Sequence, residues 1–157
     1  TSPMKLLLNT DGGSRGNPGP AAFGYVIQDI TPVAGLPASV GGSTTSGAGI
    51  VLEKCGKYLG VTTNNQAEYQ GLLAGVKWVV DNHPSAELLI KMDSLLIVNQ
   101  VKGLYKVKSP ELFPIFQEVR GLLLKLPSWS IEHTYREGNT IADSLVNEAL
   151  DRQSSTI

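Results

Sequence analysis

The sequence predicts a mixed α/β fold in which helices cover a sheet. Three strand-like segments come first, and helical and strand patterns then alternate along the rest of the chain. Consecutive strands followed by such an alternation are typical of a mixed sheet with helices packed on it. The three opening segments are short runs of apolar, β-branched and aromatic residues, at residues 5–10, 23–27 and 49–54, the last running towards Tyr58.

A long helix is predicted over residues 65–81. Its apolar residues recur at the spacing of one helical face, and it is expected to end before Pro84, because proline disfavours helical backbone in the preceding residue. The recurring residues are Leu72, Leu73, Val76, Val79 and Val80. The remaining pattern predicts strands at 86–92 and 129–135, and helices at 94–101, from Ser109 onwards and at 139–150. Pro110 is expected at the first position of the helix that Ser109 starts.

The length of 157 residues fits a single domain over residues 1–157. Residues 31–48 are rich in Gly, Ser, Thr, Ala and Pro and predict a flexible loop, and residues 152–157 predict a polar tail. Cys55 is the only cysteine, which excludes an intrachain disulfide and a multi-cysteine metal site. No apolar stretch approaches membrane-spanning length, and the first residues do not follow the plan of a signal peptide. We expect a cytoplasmic protein without a membrane partner, and a monomer.

The overall charge is not that of a typical nucleic-acid-binding domain. Thirteen basic and fourteen acidic residues give a net charge of −1, whereas many such domains are strongly basic. Residues 101–125 nevertheless carry a local basic excess, which suits a surface that faces phosphates; the alternative is a solvated helical face. The basic residues are Lys102, Lys106, Lys108, Arg120 and Lys125, against Glu111 and Glu118.

Four acidic residues lie in distinctive settings. Asp11 ends an apolar strand segment and precedes Gly-Gly-Ser-Arg-Gly-Asn-Pro-Gly, which predicts a sharp turn directly after it. Asp93 lies in Met-Asp-Ser, the segment that ends the apolar run at 88–90. Glu68 lies in Thr-Thr-Asn-Asn-Gln-Ala-Glu-Tyr, and Asp143 follows Arg-Glu-Gly-Asn-Thr-Ile-Ala. Each of the four acids also has a purely structural explanation when it is considered alone. Asp11 suits a turn, Glu68 suits a capping box with Asn65, and the other two suit helix starts.

In their order and settings, these motifs resemble the ribonuclease H family, type 1, which includes related domains of reverse transcriptases. The resemblance covers residues 4–150. It implies a ribonuclease H-like fold: a five-stranded mixed sheet flanked by helices, with the first three strands antiparallel and the others parallel to the first. In such a sheet the ends of the first and fourth strands can lie side by side, so that Asp11 and Asp93 meet. Helix starts can then contribute Glu68 and Asp143 to the same edge.

The resemblance implies a reaction and a metal site. The reaction is endonucleolytic cleavage of the RNA strand of an RNA–DNA hybrid, leaving 5′-phosphate and 3′-hydroxyl ends. The metal ligands are Asp11, Glu68, Asp93 and Asp143, with Asp11 bridging two ions. Clustered carboxylates are unfavourable unless cations or protons share the site, and hard oxygen ligands suit Mg²⁺, with Mn²⁺ as a substitute. Two such ions can activate the attacking water and stabilise the leaving 3′-oxygen.

Neighbouring polar residues match the family's substrate contacts. Asn64 and Gln66, with Glu68, match positions that face the strand bearing 2′-hydroxyls, the group that distinguishes RNA from DNA. Asn17 and Thr63 match polar contacts near the DNA backbone, and Gly12 is assigned to the substrate site as well. The structural alternatives are a turn residue for Asn17 and a helix cap for Thr63.

In two departures from the pattern of many relatives, the chain resembles a shorter-loop subgroup of the family. Tyr135 runs straight into Arg136, without the longer loop and mobile histidine of many bacterial relatives, and His133 belongs to a strand. The Trp-containing basic handle of some relatives is missing, and residues 103–108 supply lysines without a tryptophan. Two alternative functions remain: a catalytically silent module that binds hybrid or RNA, and another nuclease or integrase on the same fold. The presence of all four acids disfavours the first.

Overall fold

The computed structural model describes residues 4–32 and 49–153. These residues form five strands and four α-helices, together with a short 3₁₀ turn at Arg136–Gly138. The strands are β1 (Lys5–Ser14), β2 (Gly19–Asp29), β3 (Ile50–Thr62), β4 (Glu87–Met92) and β5 (Ser128–His133). The helices are α1 (Asn64–Asn82), α2 (Leu95–Lys102), α3 (Phe113–Leu123) and α4 (Thr140–Arg152).

The strands form one sheet in the order β3-β2-β1-β4-β5. Strand β2 is antiparallel to both β1 and β3, whereas β4 is parallel to β1 and β5 is parallel to β4. This arrangement confirms the five-stranded mixed sheet that the sequence predicts. Thr10 is paired with Met92, so Asp11 and Asp93 each follow that pair at the same edge of the sheet.

Alternating side chains give the sheet two different faces. Leu6, Leu8 and Ile27 point to one face and join the main hydrophobic core, to which α1, α2 and α3 contribute. The other face carries a smaller cluster, in which Ala22 of β2 packs against Val146 and its neighbours on α4. Gly24 allows this close packing, because a Cβ at that position would lie 2.5 Å from the carbonyl oxygen of Ala142. Helix α4 therefore rests directly on the backbone of β2.

Several predicted boundaries are wrong, and the largest consequences are at the start of α3 and the end of β1. The helix expected from Ser109 begins at Phe113, and Pro114 rather than Pro110 lies in its first turn. Ser109 instead caps a separate turn, since its Oγ accepts a hydrogen bond from the amide of Leu112 at 3.3 Å. Strand β1 also does not turn directly after Asp11. It continues to Ser14, because its glycines pair with β2 in regular antiparallel register.

The loop predicted at residues 31–48 falls almost entirely outside the described residues, which resume at Gly49. Of the predicted tail, Arg152 is instead the last residue of α4 and Gln153 ends that helix, while residues 154–157 lie outside the described part of the chain. None of the helices in residues 4–32 and 49–153 is long and apolar enough to cross a membrane.

Candidate active site

Three acidic side chains converge at the edge where β1 and β4 end. Asp11 comes from β1, Asp93 follows β4 directly, and Glu68 lies near the start of α1. One carboxylate oxygen from each residue lies within 4.8 Å of the corresponding oxygens of the other two. Asp11 and Glu68 are each only 6% exposed, and Asp93 is half-buried. Three elements distant in sequence thus deliver oxygen ligands to one small volume.

Gly12 orients two of these carboxylates. Its main-chain amide donates to Oε1 of Glu68 at 2.6 Å and also to Oδ1 of Asp11 at 2.9 Å. A Cβ at position 12 would lie 2.5 Å from the amide nitrogen of Glu68. Only glycine lets the end of β1 approach α1 this closely. The capping box with Asn65, which was the structural alternative for Glu68, is not observed, because the Glu68 carboxylate accepts from Gly12 of β1 instead.

Burial makes ionisation of the pair unfavourable. It raises the pKa of Asp11 to about 7, and the nearby charges of Asp93 and Asp143 add to the increase. Burial also raises the pKa of Glu68 well above its ordinary value. The interaction between the two carboxyl groups lowers the pKa of Asp11 and raises that of Glu68. Oε2 of Glu68 is buried and has no hydrogen-bond partner among the described residues.

Asp143 lies beside this cluster but is not one of the three converging residues. It is half-buried in the first turn of α4, and its main-chain amide donates to the carbonyl oxygen of Asn139 at 3.0 Å. Its carboxyl group is close enough to raise the pKa of Asp11 through charge and hydrogen bonding. Among the residues that the structure describes, the group with mutually close ligand oxygens consists of Asp11, Glu68 and Asp93. The structure thus brings three predicted acids together and places the fourth beside Asp11.

Asn139 is a site-supporting residue that the sequence analysis missed. Its side-chain Nδ2 donates to the carbonyl oxygen of Thr10 at 2.9 Å, directly before Asp11. The side chain is almost fully buried, at 1% exposure, and makes no capping bond to α4. An asparagine at the start of a helical pattern is the usual signature of a cap. The pattern alone therefore gave no signal of a bond to another strand.

Polar residues on the β1–β2 connection and at the start of α1 are linked to each other. Oδ1 of Asn17 accepts from the main-chain amide of Asn64 at 3.0 Å. Oδ1 of Asn64 accepts from both the amide and the hydroxyl of Ser14, at 2.8 and 3.0 Å. The side-chain oxygens of Asn17 and Asn64 thus both accept hydrogen bonds, whereas neither side-chain NH₂ group donates to another residue of the described chain. Both exposed side chains can present donors to a ligand.

Thr63 and Gln66 have structural partners. Thr63 caps α1, because its Oγ1 accepts from the amide of Gln66 at 3.2 Å. The side-chain Nε2 of Gln66 donates to the carbonyl oxygen of Glu111 at 3.3 Å, which ties α1 to the segment before α3. The cap proposed as the alternative for Thr63 is therefore present. A substrate contact by either residue has to use its remaining polar atoms.

The basic residues between α2 and β5 do not form a uniform group. Nη1 of Arg120 donates to the carbonyl oxygen of Val101 at 2.8 Å, and its guanidinium lies 5.9 Å from the ring centres of both Phe116 and Trp129. The Arg120 guanidinium thus contacts other parts of the protein. The four lysines of the predicted phosphate-facing surface are exposed: Lys102, Lys106, Lys108 and Lys125.

Comparison with known proteins places this chain in a family. A family model described as "Reverse transcriptase-like" matches residues 9–149. The crystal structure of RNase H1 from the halophilic archaeon Halobacterium salinarum superimposes with a TM-score of 0.77 at 35% identity, covering 94% of this chain and 98% of that one. The chain belongs to the ribonuclease H family. Its predicted fold is confirmed by this similarity.

Other members of the ribonuclease H family are similar over nearly the whole chain. The N-terminal RNase H domain of Rv2228c from Mycobacterium tuberculosis has a TM-score of 0.80 at 35% identity, with 95% of both chains covered. LC11-RNase H1, obtained from compost by a metagenomic approach, was crystallised in complex with an RNA/DNA hybrid. It is 37% identical, with a TM-score of 0.77 and 95% and 99% of the two chains covered. The chain spans 36% of full-length Rv2228c and 62% of the curated ribonuclease HI of Halobacterium salinarum.

Proposed function

We propose that this protein hydrolyses the RNA strand of RNA–DNA hybrids in a metal-dependent reaction, leaving 5′-phosphate and 3′-hydroxyl ends. The observation that carries the proposal is the convergence of Asp11, Glu68 and Asp93 from three separate elements. Support comes from similar proteins named ribonuclease HI or RNase H1, of which LC11-RNase H1 was crystallised with an RNA/DNA hybrid.

The carboxylate cluster fits a divalent cation. The donor atoms are hard oxygens, which suit Mg²⁺ and Mn²⁺, and the buried Oε2 of Glu68 has no hydrogen-bond partner among the described residues. Burial, together with the nearby charges of Asp93 and Asp143, raises the pKa of Asp11 and so disfavours its charged form, and a cation would relieve that cost. Asp11, Glu68, Asp93 and Asp143 are the residues that would hold two such ions with substrate bound. When bound, such ions supply activation of water and stabilisation of the leaving 3′-oxygen.

The chain's own residues prepare the acids for this role. The Gly12 amide holds the Glu68 and Asp11 carboxylates in fixed orientations before any ligand arrives. Any proton that Asp11 or Glu68 holds has to leave when a cation binds, because the ligand form of a carboxylate is deprotonated. Metal binding is therefore expected to release protons and to strengthen as the pH rises.

The polar residues on the β1–β2 connection and at the start of α1 would contact the hybrid. The free NH₂ groups of Asn17 and Asn64 are donors, which suits phosphate oxygens and the acceptor side of a 2′-hydroxyl. We assign Asn64 and Gln66, with Glu68, to the RNA strand, and Asn17 and Thr63 to the DNA backbone. Gly12 contributes to the same surface chiefly by fixing the carboxylates.

A cleavage assay tests the proposal. End-labelled RNA–DNA hybrid, double-stranded RNA and double-stranded DNA are incubated with the protein in Mg²⁺, in Mn²⁺ and in EDTA. We expect internal cleavage of the RNA in the hybrid with either metal, none in EDTA, and products that a ligase accepts as 5′-phosphates. Binding of the hybrid without cleavage in both metals would indicate a silent binding module instead. Preferential cleavage of double-stranded DNA would indicate another nuclease on the same fold.

A further inference from the structure

A small polar cavity lies behind the candidate active site, between the sheet and the start of α4. Asn9, Val26 and Gln28 line it from the sheet, and residues 138–141 line it from the other side. Its volume is about 10 Å³. A cavity of about 10–15 Å³ with several polar neighbours is enough for one water molecule, whereas an apolar cavity stays dry.

Two buried oxygen atoms need donors at this cavity. Oδ1 of Asn9 and Oδ1 of Asn139 are both shielded from solvent, and neither has a hydrogen-bond partner within the described ranges 4–32 and 49–153. The orientation of the Asn139 amide is set by its other end, because Nδ2 donates to the carbonyl oxygen of Thr10. Buried polar atoms in folded proteins are normally paired with protein groups or with ordered water. A water molecule can donate to both oxygens at once.

Asn139 also connects the backbones that carry two of the acids. Its side chain bonds to the carbonyl oxygen of Thr10, directly before Asp11, and its own carbonyl oxygen accepts from the amide of Asp143 at 3.0 Å. Asn9 lies two residues before Asp11, on the same face of β1. The cavity therefore lies at the junction that sets the distance between the end of β1 and the first turn of α4.

We propose that Asn9 and Asn139 bind one internal water molecule, and that Asn139 with this water positions Asp11 relative to Asp143. The proposal is supported by three observations: the two unpaired oxygens, the size of the cavity, and the two hydrogen bonds of Asn139. Asn139 touches none of the proposed metal or substrate atoms, so it is a positioning residue. The consequence for metal binding rests on the proposed function, whereas the water site does not.

The water site is tested by crystal structures at a resolution that orders internal water. We expect one well-ordered water within hydrogen-bonding distance of Oδ1 of both Asn9 and Asn139 in the wild-type protein. A rotated Asn9 amide that donates directly to Asn139, with no density between them, would overturn the water site.

The positioning role is tested by calorimetric titration with Mn²⁺ alone. Asn139→Ala removes the bond to Thr10, and we expect its Mn²⁺ affinity to fall about tenfold or more, in the range typical of residues that orient metal ligands. Asn9→Ala keeps that bond and loses one partner of the water, so its affinity should fall less. Asn9→Ala also serves as the test if Asn139→Ala does not fold. Kinetics should show a lower kcat with KM little changed.

Val146→Ala is the matched control. Val146 is buried on α4 but does not line the cavity, so the substitution should lower the melting temperature without changing Mn²⁺ affinity. Unchanged affinity in a folded Asn139→Ala, or an equal loss in Val146→Ala, would overturn the positioning role. A wild-type protein that binds no Mn²⁺ would contradict the proposed function and with it the positioning role, while the crystal structure would still decide the water site.

Discussion

Oε1 of Glu68 accepts a hydrogen bond of 2.6 Å from the main-chain amide of Gly12, a residue 56 positions away in the sequence. The bond joins the end of β1 to α1, and the same amide reaches Oδ1 of Asp11 at 2.9 Å. One main-chain donor thus orients two carboxylates whose charges repel each other. The arrangement requires the backbones of β1 and α1 to approach more closely than any side chain at position 12 permits.

Gly12→Ala should damage both stability and the site. The added methyl group meets the backbone of Ala67 and Glu68, which cannot move without shifting α1. Overpacking of this kind typically costs about 1–3 kcal/mol. We expect that loss in urea unfolding, together with weaker Mn²⁺ binding. Gly13→Ala is the control, since its nearest neighbour would be Oδ1 of Asn64 at 3.9 Å, an ordinary contact. Equal effects at the two positions would show that the close approach at Gly12 is unimportant.

Neutralising the converging acids should abolish cleavage of the hybrid. Asp11→Asn, Glu68→Gln and Asp93→Asn each remove a metal-binding charge, and metal ions contribute several kcal/mol to such reactions. We expect kcat to fall at least about a hundredfold for each of these variants. Asp143→Asn should be milder, because its carboxyl group lies beside the cluster of three. Asp81→Asn, an exposed change at the end of α1, controls for substitution as such. Near-normal turnover of Asp11→Asn would show that the site is misassigned.

The acid site was more predictable from the sequence than the residues that support it. Asp11 and Asp93 each follow an apolar run, and the strand order implied by the family resemblance places the ends of those runs side by side, as observed. The bond from Asn139 to Thr10 spans 129 positions and depends on how α4 packs on the sheet. No local pattern encodes such a bond.

Errors at the element boundaries have similar causes. Pro110 and Pro114 both suit the first turn of a helix, and local chemistry does not choose between them. The structure resolves the choice through the turn that Ser109 caps. The glycines after Asp11 predict a turn when read alone, yet their pairing with β2 keeps them in a strand. Tertiary pairing therefore overrode a local preference at the very end of the strand that carries Asp11.

The metal-free protein should become less stable as the pH rises from about 4 to about 7. The pKa of Asp11 is about 7 in the folded protein against an ordinary value of 3.8, and the pKa of Glu68 is raised as well. The folded state therefore holds protons that the unfolded state releases. The stability that these protons contribute is complete below about pH 4 and is lost as the pH rises through about 7. Thermal melting in EDTA measures this slope, and Asp11→Asn should flatten it. Identical slopes for both proteins would mean that Asp11 does not titrate in this range.

Divalent metal should raise the melting temperature of the protein. Asp11→Asn should raise the melting temperature without metal and reduce the gain that metal gives. A cation that binds only the folded state stabilises it by about 1.4 kcal/mol when its concentration is about tenfold above its Kd. For a chain of this size, that free energy raises the melting temperature by about 3–6 °C. Asp11→Asn removes one repelling charge, so its metal-free melting temperature should exceed that of the parent, while its gain with Mg²⁺ or Mn²⁺ should shrink. Both proteins are melted with and without metal at pH 8 and fixed ionic strength, which keeps screening constant. A variant that is less stable than the parent without metal, yet gains equally from it, would show that Asp11 serves the strand end and not the cation.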